Sequence, residues 1–399
     1  MNSATASALI RLLYASLHSS ERGWVDSQQL SVCWPELYRL AVEQGVLAVA
    51  WEGLNRLLEE QASLSQGEPR RAEEGNSPEN EGNTQKSKGD LCGEIALLPD
   101  RKLRLKWGIN VAQIEARYAK QRAVIGKLAS FYARHGIRMM LLKGYGLSQL
   151  YPTPEHRPCG DIDIWLFGEQ ERADQLLREE KGIRIDEDVH HHTTFSVEGV
   201  PIENHYDFLN IHSHRSNREI EQELKRLAQE EAPEQIEIDG ATLYLPSANF
   251  NALFLLRHAA AHFAAAEIAL RHLLDWALFL KHYGEKVDWG WLERICHQQN
   301  MDRLLHALTA LSIDHLGLSE AGLPAIPRDA ALEERILHEI LSPAFSEKMP
   351  QRGILRRLWF RYRRWWANRW KHHLVYREGL FTTFLQQIVS HLRKPRSLK

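Results

Sequence analysis

The sequence has few cysteines, no long apolar run and almost no net charge. Its four cysteines, at positions 33, 92, 159 and 296 of 399 residues, are far apart and form no Cys-x-x-Cys pair. This spacing argues against a disulfide framework and against a cysteine zinc site. No uninterrupted apolar stretch approaches the roughly 18 to 20 residues that a membrane-spanning helix needs. Because 50 Lys and Arg residues offset 52 Asp and Glu residues, a surface built as a whole to hold nucleic acid is also disfavoured.

The remaining composition is that of a globular protein with more than one domain. Hydrophobic residues make up 44% of the chain and charged residues 26%, which is typical of soluble domains. A length of 399 residues exceeds that of a usual single domain. The N-terminal residues show no basic region, and Arg11 interrupts the apolar stretch that follows them. A signal peptide is therefore not expected, and we predict a cytoplasmic location.

Changes in periodicity divide the chain into three regions. Residues 1–134 have apolar residues at helical spacing and are predicted to be a helical N-terminal region. Within this region a disordered insertion is predicted at about residues 62–92, because Ala72 is the only aliphatic residue between Ser65 and Asp90. Residues 135–245 mix short strands with helices, and residues 246–399 are predicted to be helical. The fold class that follows is α+β, with a small mixed β-sheet between helical regions.

The central region contains four predicted strands. A polar helix separates the segments 161–167 and 191–197. Glu198-Gly199, which is typical of a hairpin turn, separates the segments 191–197 and 201–208. The strand segments are short apolar runs or alternate polar and apolar residues with a period of two. They are residues 137–142, 161–167, 191–197 and 201–208.

Three acidic residues on these strands are candidates for a metal site. Asp161 and Asp163 are two residues apart, so in a strand their side chains lie on the same face. Two adjacent carboxylates repel each other, and a hard divalent ion such as Mg²⁺ removes that cost and prefers oxygen ligands. Glu203 on the last strand is the candidate third ligand. The alternative is that Asp161-x-Asp163 is a solvated strand edge or a turn, which is the commoner origin of such a pair taken alone.

Three blocks of sequence carry a more specific pattern. The first runs from Leu141-Leu142-Lys143-Gly144 through Tyr151-Pro152-Thr153-Pro154 and Arg157 to Gly160-Asp161-Ile162-Asp163-Ile164. The second is Ile202-Glu203-Asn204-His205-Tyr206, and the third is Arg271-His272-Leu273-Leu274-Asp275-Trp276, preceded by His258 and His262. In this order the blocks, which span about residues 135–320, resemble the uncharacterised bacterial nucleotidyltransferase family of the DNA polymerase β-like superfamily.

The resemblance implies a nucleotidyltransferase core at residues 135–245 and transfer of an NMP group from an NTP to an acceptor. It implies that Asp161, Asp163 and Glu203 bind two Mg²⁺ or Mn²⁺ ions and are the catalytic residues. Paired metal ions neutralise the triphosphate and stabilise the attacking and leaving oxygens. The residues implied to bind the nucleotide are Lys143, Gly144, Arg157, Gly160 and His205.

Two positions depart from the superfamily pattern. Many members have Gly-Ser after the first strand, whereas this chain has Lys143-Gly144. Glu203 replaces the commoner Asp, a change that keeps a carboxylate.

Relatives of this kind suggest a small molecule, a glycan precursor, a peptide or a protein as acceptor, with RNA less favoured. The sequence leaves the nucleotide, the acceptor and the oligomeric state open.

Histidines outside this pattern have two interpretations. His190, His191 and His192 are consecutive, and neighbours in a strand point to opposite faces, so a polar strand start is favoured over a zinc site. His258 and His262 are four residues apart on a predicted helix, where they face the cleft or form hydrogen bonds in the core with Asp275.

A basic, Trp-rich segment covers residues 352–373. It contains eight Lys or Arg residues and no acid. Trp359, Trp366 and Trp370 fall on one helical stripe, and Arg361 and Arg364 fall on another. Packing of the Trp stripe on the preceding helices is the default interpretation, and peripheral contact with an anionic membrane or with nucleic acid is the alternative. The rival overall function is therefore a catalytically silent binding module of the same fold that docks an anionic partner through this helix.

Overall fold

A computed structural model describes residues 3–18, 32–67, 98–187, 191–212, 214–265, 268–345, 347, 349–351 and 353–379. The chain forms two compact units, Met1–Val111 and Ala112–Lys399. Most of the insertion predicted at about 62–92 lies outside the described residues, as do His190 and Arg352. No helix in the described ranges is both long enough and apolar enough to cross a membrane.

The first unit is built from α1 (Ser3–Leu17), α2 (Trp34–Glu43), α3 (Leu47–Gly67) and the first part of α4 (Arg101–Arg134). Helices α1 and α3 approach closely at Gly53, where an added Cβ would lie 1.9 Å from the carbonyl oxygen of Leu12. Trp107 of α4 is fully buried and donates its indole N–H to the Leu47 carbonyl at 3.0 Å.

The cysteines differ from one another in their bonding. Cys33 forms a disulfide, which the spacing of the cysteines in the sequence did not predict. Cys159 and Cys296 are free and buried.

The second unit contains a six-stranded mixed sheet with the order β3-β4-β2-β1-β6-β5. Strand β2 is parallel to β4, and β1 is parallel to β6, while the remaining pairs are antiparallel. This sheet among many helices confirms the α+β fold class. The strands are β1 (Met140–Leu141), β2 (Ile162–Trp165), β3 (His192–Val197), β4 (Val200–His205), β5 (Glu234–Ile238) and β6 (Ala241–Leu245).

The four strands predicted from the sequence correspond to β1–β4, but β5 and β6 were not predicted. Strand β5 has the sequence Glu-Gln-Ile-Glu-Ile and is largely exposed, so its apolar content is low. The two strands are joined by Asp239-Gly240, both with positive φ, which is the backbone that a two-residue hairpin turn requires. That dipeptide is the sequence signal that identifies the missing hairpin.

The two faces of the sheet have different chemistry. One face is apolar and includes Ile162, Ile164 and Ile202, which are buried in a common core with residues of α4 and α6 (Gln170–Lys181). On the same side, Asp174 of α6 accepts hydrogen bonds from Thr193 and Asn204 at 2.7 and 2.8 Å. Because side chains alternate along a strand, the residues between these apolar positions face the opposite side.

Helices account for most of the rest of the second unit. A left-handed glycine, Gly144, precedes the short helix α5 (Tyr145–Ser148). The basic segment predicted as one helix is divided into two at Asn368. The remaining helices are α7 (Arg215–Glu230), α8 (Ala248–Ala265), α9 (Leu270–Tyr283), α10 (Trp289–Gln298), α11 (Asp302–Leu316), α12 (Ala330–Leu341), α13 (Ile354–Ala367) and α14 (Arg369–Val375), with 3₁₀ turns at Pro154–His156 and Gly284–Lys286.

Candidate functional site

Two neighbouring parallel strands bring acidic side chains together. Asp163 of β2 is directly opposite Glu203 of β4 in the register of the sheet. Both side chains project from the face opposite the apolar core, because Ile162, Ile164 and Ile202 occupy the other face. Asp161 immediately precedes β2 and has the same parity as Asp163. The sheet thus places two of the three predicted acidic ligands side by side and the third at the start of the same strand.

Asp163 lies at the centre of a network of charged groups. Its side chain is 1% exposed, and its Oδ1 lies 3.1 Å from the Lys143 ammonium and 3.0 Å from Nε2 of His205. Lys143 also lies 3.4 Å from Nε2 of His258 on α8. Two cationic groups therefore balance the buried carboxylate, so the repulsion expected between the acids is relieved by the protein itself.

The electrostatics of this network are set by burial and by the ion pairs. Burial raises the pKa of Asp163, but the charge of Lys143 and the hydrogen bond from His205 outweigh burial and hold this pKa below its usual value. Burial lowers the pKa of His205, and its hydrogen bonds to Asp163 and Glu203 reverse this effect and raise the pKa to about 9. The pKa of Glu203 is raised, mainly by burial. Unless a metal ion binds to His205, the network is an ion cluster at neutral pH with His205 protonated.

Histidines of the β3–β4 hairpin lie on both sides of Glu203. Nε2 of His192 lies 3.5 Å from one carboxylate oxygen of Glu203, and Nε2 of His205 lies 3.6 Å from the other. His192 and His205 are direct partners across the antiparallel pair β3–β4. The ring of His191 lies 4.3 Å from that of His192 and 5.6 Å from that of His205, measured between centroids. The site therefore contains imidazole nitrogens as well as carboxylate oxygens.

A cleft of about 340 Å³ opens beside Asp161 and Asp163, and Glu203 is not among the residues that line it. Asp161, Asp163, Lys143 and Gly144 line one side, and residues of α8 and α9 line the other. Gly144 has φ of 55°, and a Cβ added to it would lie 3.8 Å from Oδ2 of Asp163. A glycine here thus permits a left-handed backbone and keeps side-chain atoms away from the acidic end of the cleft.

Three histidines form the helical wall of the cleft. The rings of His258 and His262 on α8 are 4.4 Å apart, and His272 of α9 lies about 6 Å from each of them, at 6.2 and 5.8 Å. Burial lowers the pKa of all three, to about 4 for His272. These imidazoles are neutral at physiological pH, so they supply hydrogen-bonding groups to the cleft without adding charge.

Arg157 lines the cleft but is committed to an ion pair. Its guanidinium donates two hydrogen bonds of 2.7 Å to the two carboxylate oxygens of Asp275, and Tyr151 donates a third at 2.8 Å. Arg157 and Asp275 are 5% and 8% exposed. Gly160 is exposed at the rim of the cleft, and its carbonyl accepts a hydrogen bond from Gln121. Of the predicted nucleotide-binding residues, Lys143 and His205 thus contact Asp163 directly. Gly144 lies next to Asp163, and Arg157 is paired with Asp275 of α9.

Two features of the site were not assigned from the sequence. Asp275 was noted there only as a possible partner for histidines, yet it binds Arg157. His192 is the first residue of β3, as the sequence predicts for a polar strand start, and its side chain also lies beside Glu203. The hairpin turn could have identified His192, because a two-residue turn at Glu198-Gly199 pairs Val197 with Val200 and, five pairs further on, His192 with His205.

The basic, Trp-rich segment lies on a separate part of the second unit. Helix α13 packs through Phe360, which is buried against Phe345 with ring centroids 5.2 Å apart. On the opposite side of the helix an apolar stripe is between 47% and 81% exposed. Arginines flank the stripe on both sides, and Arg363 pairs with Glu347. The stripe consists of Leu355, Leu358, Trp359, Tyr362 and Trp366.

Comparison with known proteins gives one family and one solved structure. A family model described as an uncharacterised nucleotidyltransferase matches residues 31–317. Among solved structures, the chain is similar to an antigenic nucleotidyltransferase-like protein from Paracoccidioides brasiliensis, with 13% sequence identity and a TM-score of 0.34. That similarity covers 53% of this chain and 96% of the other. A comparison with curated proteins finds no match.

Proposed function

Since the chain belongs to the uncharacterised nucleotidyltransferase family, we propose that it transfers an NMP group from an NTP to an acceptor at the cleft beside Asp161, Asp163 and Glu203. The observation that carries this proposal is the pairing of Asp163, which lines the cleft, with Glu203 on the adjacent parallel strand. The three sequence blocks further support a place in the bacterial branch of the family and in the DNA polymerase β-like superfamily.

The donor groups fit a divalent metal ion. Asp163, Glu203 and His205 each offer a ligand atom, and these atoms lie within 4.8 Å of one another. Asp161 lines the same cleft and would supply a further carboxylate oxygen. Bound Mg²⁺ or Mn²⁺ would neutralise charge on the triphosphate and lower the pKa of the acceptor hydroxyl.

The chain's own residues supply the remaining functions. Lys143, fixed between Asp163 and His258, would provide a positive charge for the phosphates at the acidic end of the cleft. In the transfer, an acceptor oxygen forms a bond to the α-phosphorus, the bond to the β-phosphate oxygen breaks, and pyrophosphate leaves. The acceptor proton passes to the Glu203 carboxylate or to solvent. The neutral wall of His258, His262 and His272 would contact the nucleotide or the acceptor.

The direct test is metal-dependent NTP binding and NMP transfer. The full-length protein is incubated with each NTP, with Mg²⁺ or Mn²⁺, and with cell extract, and NMP mass additions are sought on proteins, RNA and metabolites. Asp163→Asn and Glu203→Gln should abolish transfer and weaken metal-dependent NTP binding by at least about tenfold. Glu237→Gln on the exposed strand β5 is the matched control and should behave as the wild type.

Two results would contradict the proposal. One is the absence of any labelled acceptor with all nucleotides and both metals. The other is NTP binding that is unchanged when the metal is removed or when Asp163 and Glu203 are both replaced. Circular dichroism of each variant establishes that a loss of binding is not a loss of folding.

The exposed stripe on α13 favours a second candidate function, attachment to an anionic membrane surface. Trp and Tyr side chains prefer the membrane interface, and flanking arginines are attracted to anionic lipids with about 1 kcal/mol each. The segment combines both features, and its apolar face points away from the side buried by Phe360. This attachment would serve either a transferase or a catalytically silent module.

Vesicle sedimentation tests the membrane candidate. Binding is expected to vesicles that contain about 30% phosphatidylserine, because anionic lipids attract polybasic segments. No binding is expected to vesicles of pure phosphatidylcholine. Trp359→Ser with Trp366→Ser should abolish binding, whereas Leu105→Ser, which replaces an exposed leucine of α4, should not. Binding to single-stranded RNA in place of vesicles would refute the membrane candidate, as would vesicle binding that survives the double Trp replacement.

A further inference from the structure

Among the described residues, three side chains with a permanent positive charge line the cleft, and two of them are paired with acids. Lys143 lies 3.1 Å from Asp163, and Arg157 donates two hydrogen bonds to Asp275. The third is Arg271, near the start of α9. No carboxylate of the described residues lies within ion-pair distance of Arg271. It therefore brings to the cleft a positive charge that no direct contact with an acid balances in this part of the chain.

The guanidinium of Arg271 also has hydrogen-bonding capacity left over. A guanidinium carries five N–H groups, and in the described ranges one hydrogen bond is made, from Nη1 to the Pro158 carbonyl at 3.3 Å. Nε of Arg271 is buried and has no hydrogen-bond partner among these residues. Buried polar atoms are nearly always hydrogen-bonded in folded proteins. The side chain is thus suited to an anion that accepts several N–H groups at once.

The contact with Pro158 holds Arg271 beside the loop that leads to the acids. Pro158 precedes Asp161 by three residues, which span at most about 11 Å. Asp161 and Arg271 line the same cleft of about 340 Å³, a volume near the lower end of the range of about 300–1,000 Å³ for small-molecule sites. One ligand of nucleotide size in this cleft can therefore reach both the acidic end and Arg271.

Arg271 provides the charge of the helical wall. Burial and the positive charge of Arg271 lower the pKa of His262 and of His272, so both imidazoles are neutral at physiological pH. Asp275, on the same helix as Arg271, is held by Arg157. An anionic ligand that touches this wall meets neutral imidazoles and one guanidinium, and that guanidinium is its source of electrostatic attraction.

We propose that Arg271 binds the β- and γ-phosphates of the NTP, so that the cleft distinguishes a nucleoside triphosphate from a monophosphate. The inference rests on the proposed function and adds to it the side chain that holds the leaving pyrophosphate. Arginine suits this role because its planar N–H groups match phosphate oxygens and its charge is permanent. Lys143 then acts at the acidic end of the phosphate chain, and Arg271 acts at the helical wall.

Binding of inorganic tripolyphosphate to the full-length protein tests this assignment, because the probe is a phosphate chain without a nucleoside. Isothermal titration calorimetry is carried out with and without Mg²⁺. The wild type should bind the probe, and Arg271→Met should weaken binding at least about tenfold. Arg271→Gln should show the same loss and serves if the Met variant does not fold. Lys281→Met, at an exposed position of the same helix, is the matched control and should bind as the wild type does.

A nucleotide series separates phosphate contacts from contacts with the nucleoside. For the NTP that the wild type binds best, Arg271→Gln should weaken NTP binding at least about tenfold and leave binding of the matching NMP unchanged. An equal loss for the NTP and the NMP would place Arg271 at the nucleoside or the α-phosphate and overturn the assignment. Unchanged tripolyphosphate binding with a loss of NMP transfer would place Arg271 at an anionic group of the acceptor, and this result overturns it as well.

The results distinguish this inference from the proposed function. Tripolyphosphate binding that depends on Arg271, in a protein that transfers no NMP group, supports the phosphate site and contradicts the transferase. NMP transfer by a wild-type protein that binds no tripolyphosphate, or by an Arg271→Gln variant that binds it normally, overturns the phosphate site and leaves the transferase intact. Circular dichroism of each variant shows whether it is folded.

Discussion

The ion pair between Arg157 and Asp275 provides a sharp test of how the cleft is built. Arg157 was predicted from the sequence to bind nucleotide, yet it makes two hydrogen bonds of 2.7 Å to a buried carboxylate. Removal of one partner of such a pair leaves an uncompensated buried charge and costs about 3–5 kcal/mol. We therefore expect Arg157→Met and Asp275→Asn each to lower the free energy of unfolding by about this amount.

The double variant separates the pair from its surroundings. Arg157→Met with Asp275→Asn removes both charges and leaves an acceptor for the Tyr151 hydroxyl, so the double variant should lose less stability than the sum of the two single losses. The expected coupling free energy is about 2–3 kcal/mol. Urea unfolding followed by circular dichroism, without nucleotide, measures all four proteins. Arg172→Met breaks an exposed pair with Glu169 and is the control, with an expected loss below about 1 kcal/mol.

One result would refute this reasoning. If Arg157→Met lowers the free energy of unfolding by less than about 1 kcal/mol and weakens NTP binding, Arg157 is a nucleotide ligand and the ion pair is incidental. If stability falls by several kcal/mol and the folded fraction still binds NTP normally, the role of Arg157 is to hold α9 against the loop before β2.

Three further predictions concern single positions. Burial raises the pKa of Glu221 from 4.5 to about 7, so the native state keeps a proton that the unfolded state has lost, and stability falls as pH rises between these values. Glu221→Gln should reduce the stability difference between pH 5 and pH 8 in urea unfolding by roughly 3 kcal/mol. Gly53→Ala should destabilise the α1–α3 contact by about 1–3 kcal/mol in thermal unfolding, whereas Gly108→Ala, whose Cβ meets its nearest neighbour at 3.9 Å, should not. Gly144→Ala and Gly136→Ala both place alanine at positive φ and should each cost about 1 kcal/mol, but only Gly144→Ala should weaken NTP binding in calorimetry.

The sequence predicted those parts of the fold that depend on local patterns. The alternation around Ile162 and Ile164 predicted β2, and the turn residues Glu198-Gly199 predicted the β3–β4 hairpin. The fold class was confirmed, whereas the assignment of site residues remains a prediction. Strand β5 was missed because its low apolar content does not resemble a buried strand.

The ion pairs of the site could not be predicted, since they depend on contacts distant in sequence. Arg157 and Asp275 are 118 residues apart, and Lys143 meets Asp163 only because β1 and β2 are neighbours in the sheet. The position of His192 is an intermediate case. Its partner across the hairpin follows from the length of the turn, but its approach to Glu203 depends on side-chain conformation.

The contact between Lys143 and Asp163 affects how the protein folds before metal ions or substrates bind. An apoprotein whose acids were balanced only by divalent ions would depend on metal supply to fold. Here the positive charge of Lys143 takes the place of the metal ion's charge beside Asp163. Newly made chains should therefore pair β1 with β2 in the native register even when metal ions are scarce. Replacement of Lys143 by Met would then make the thermal stability of the apoprotein sensitive to added metal, a dependence that the natural chain avoids.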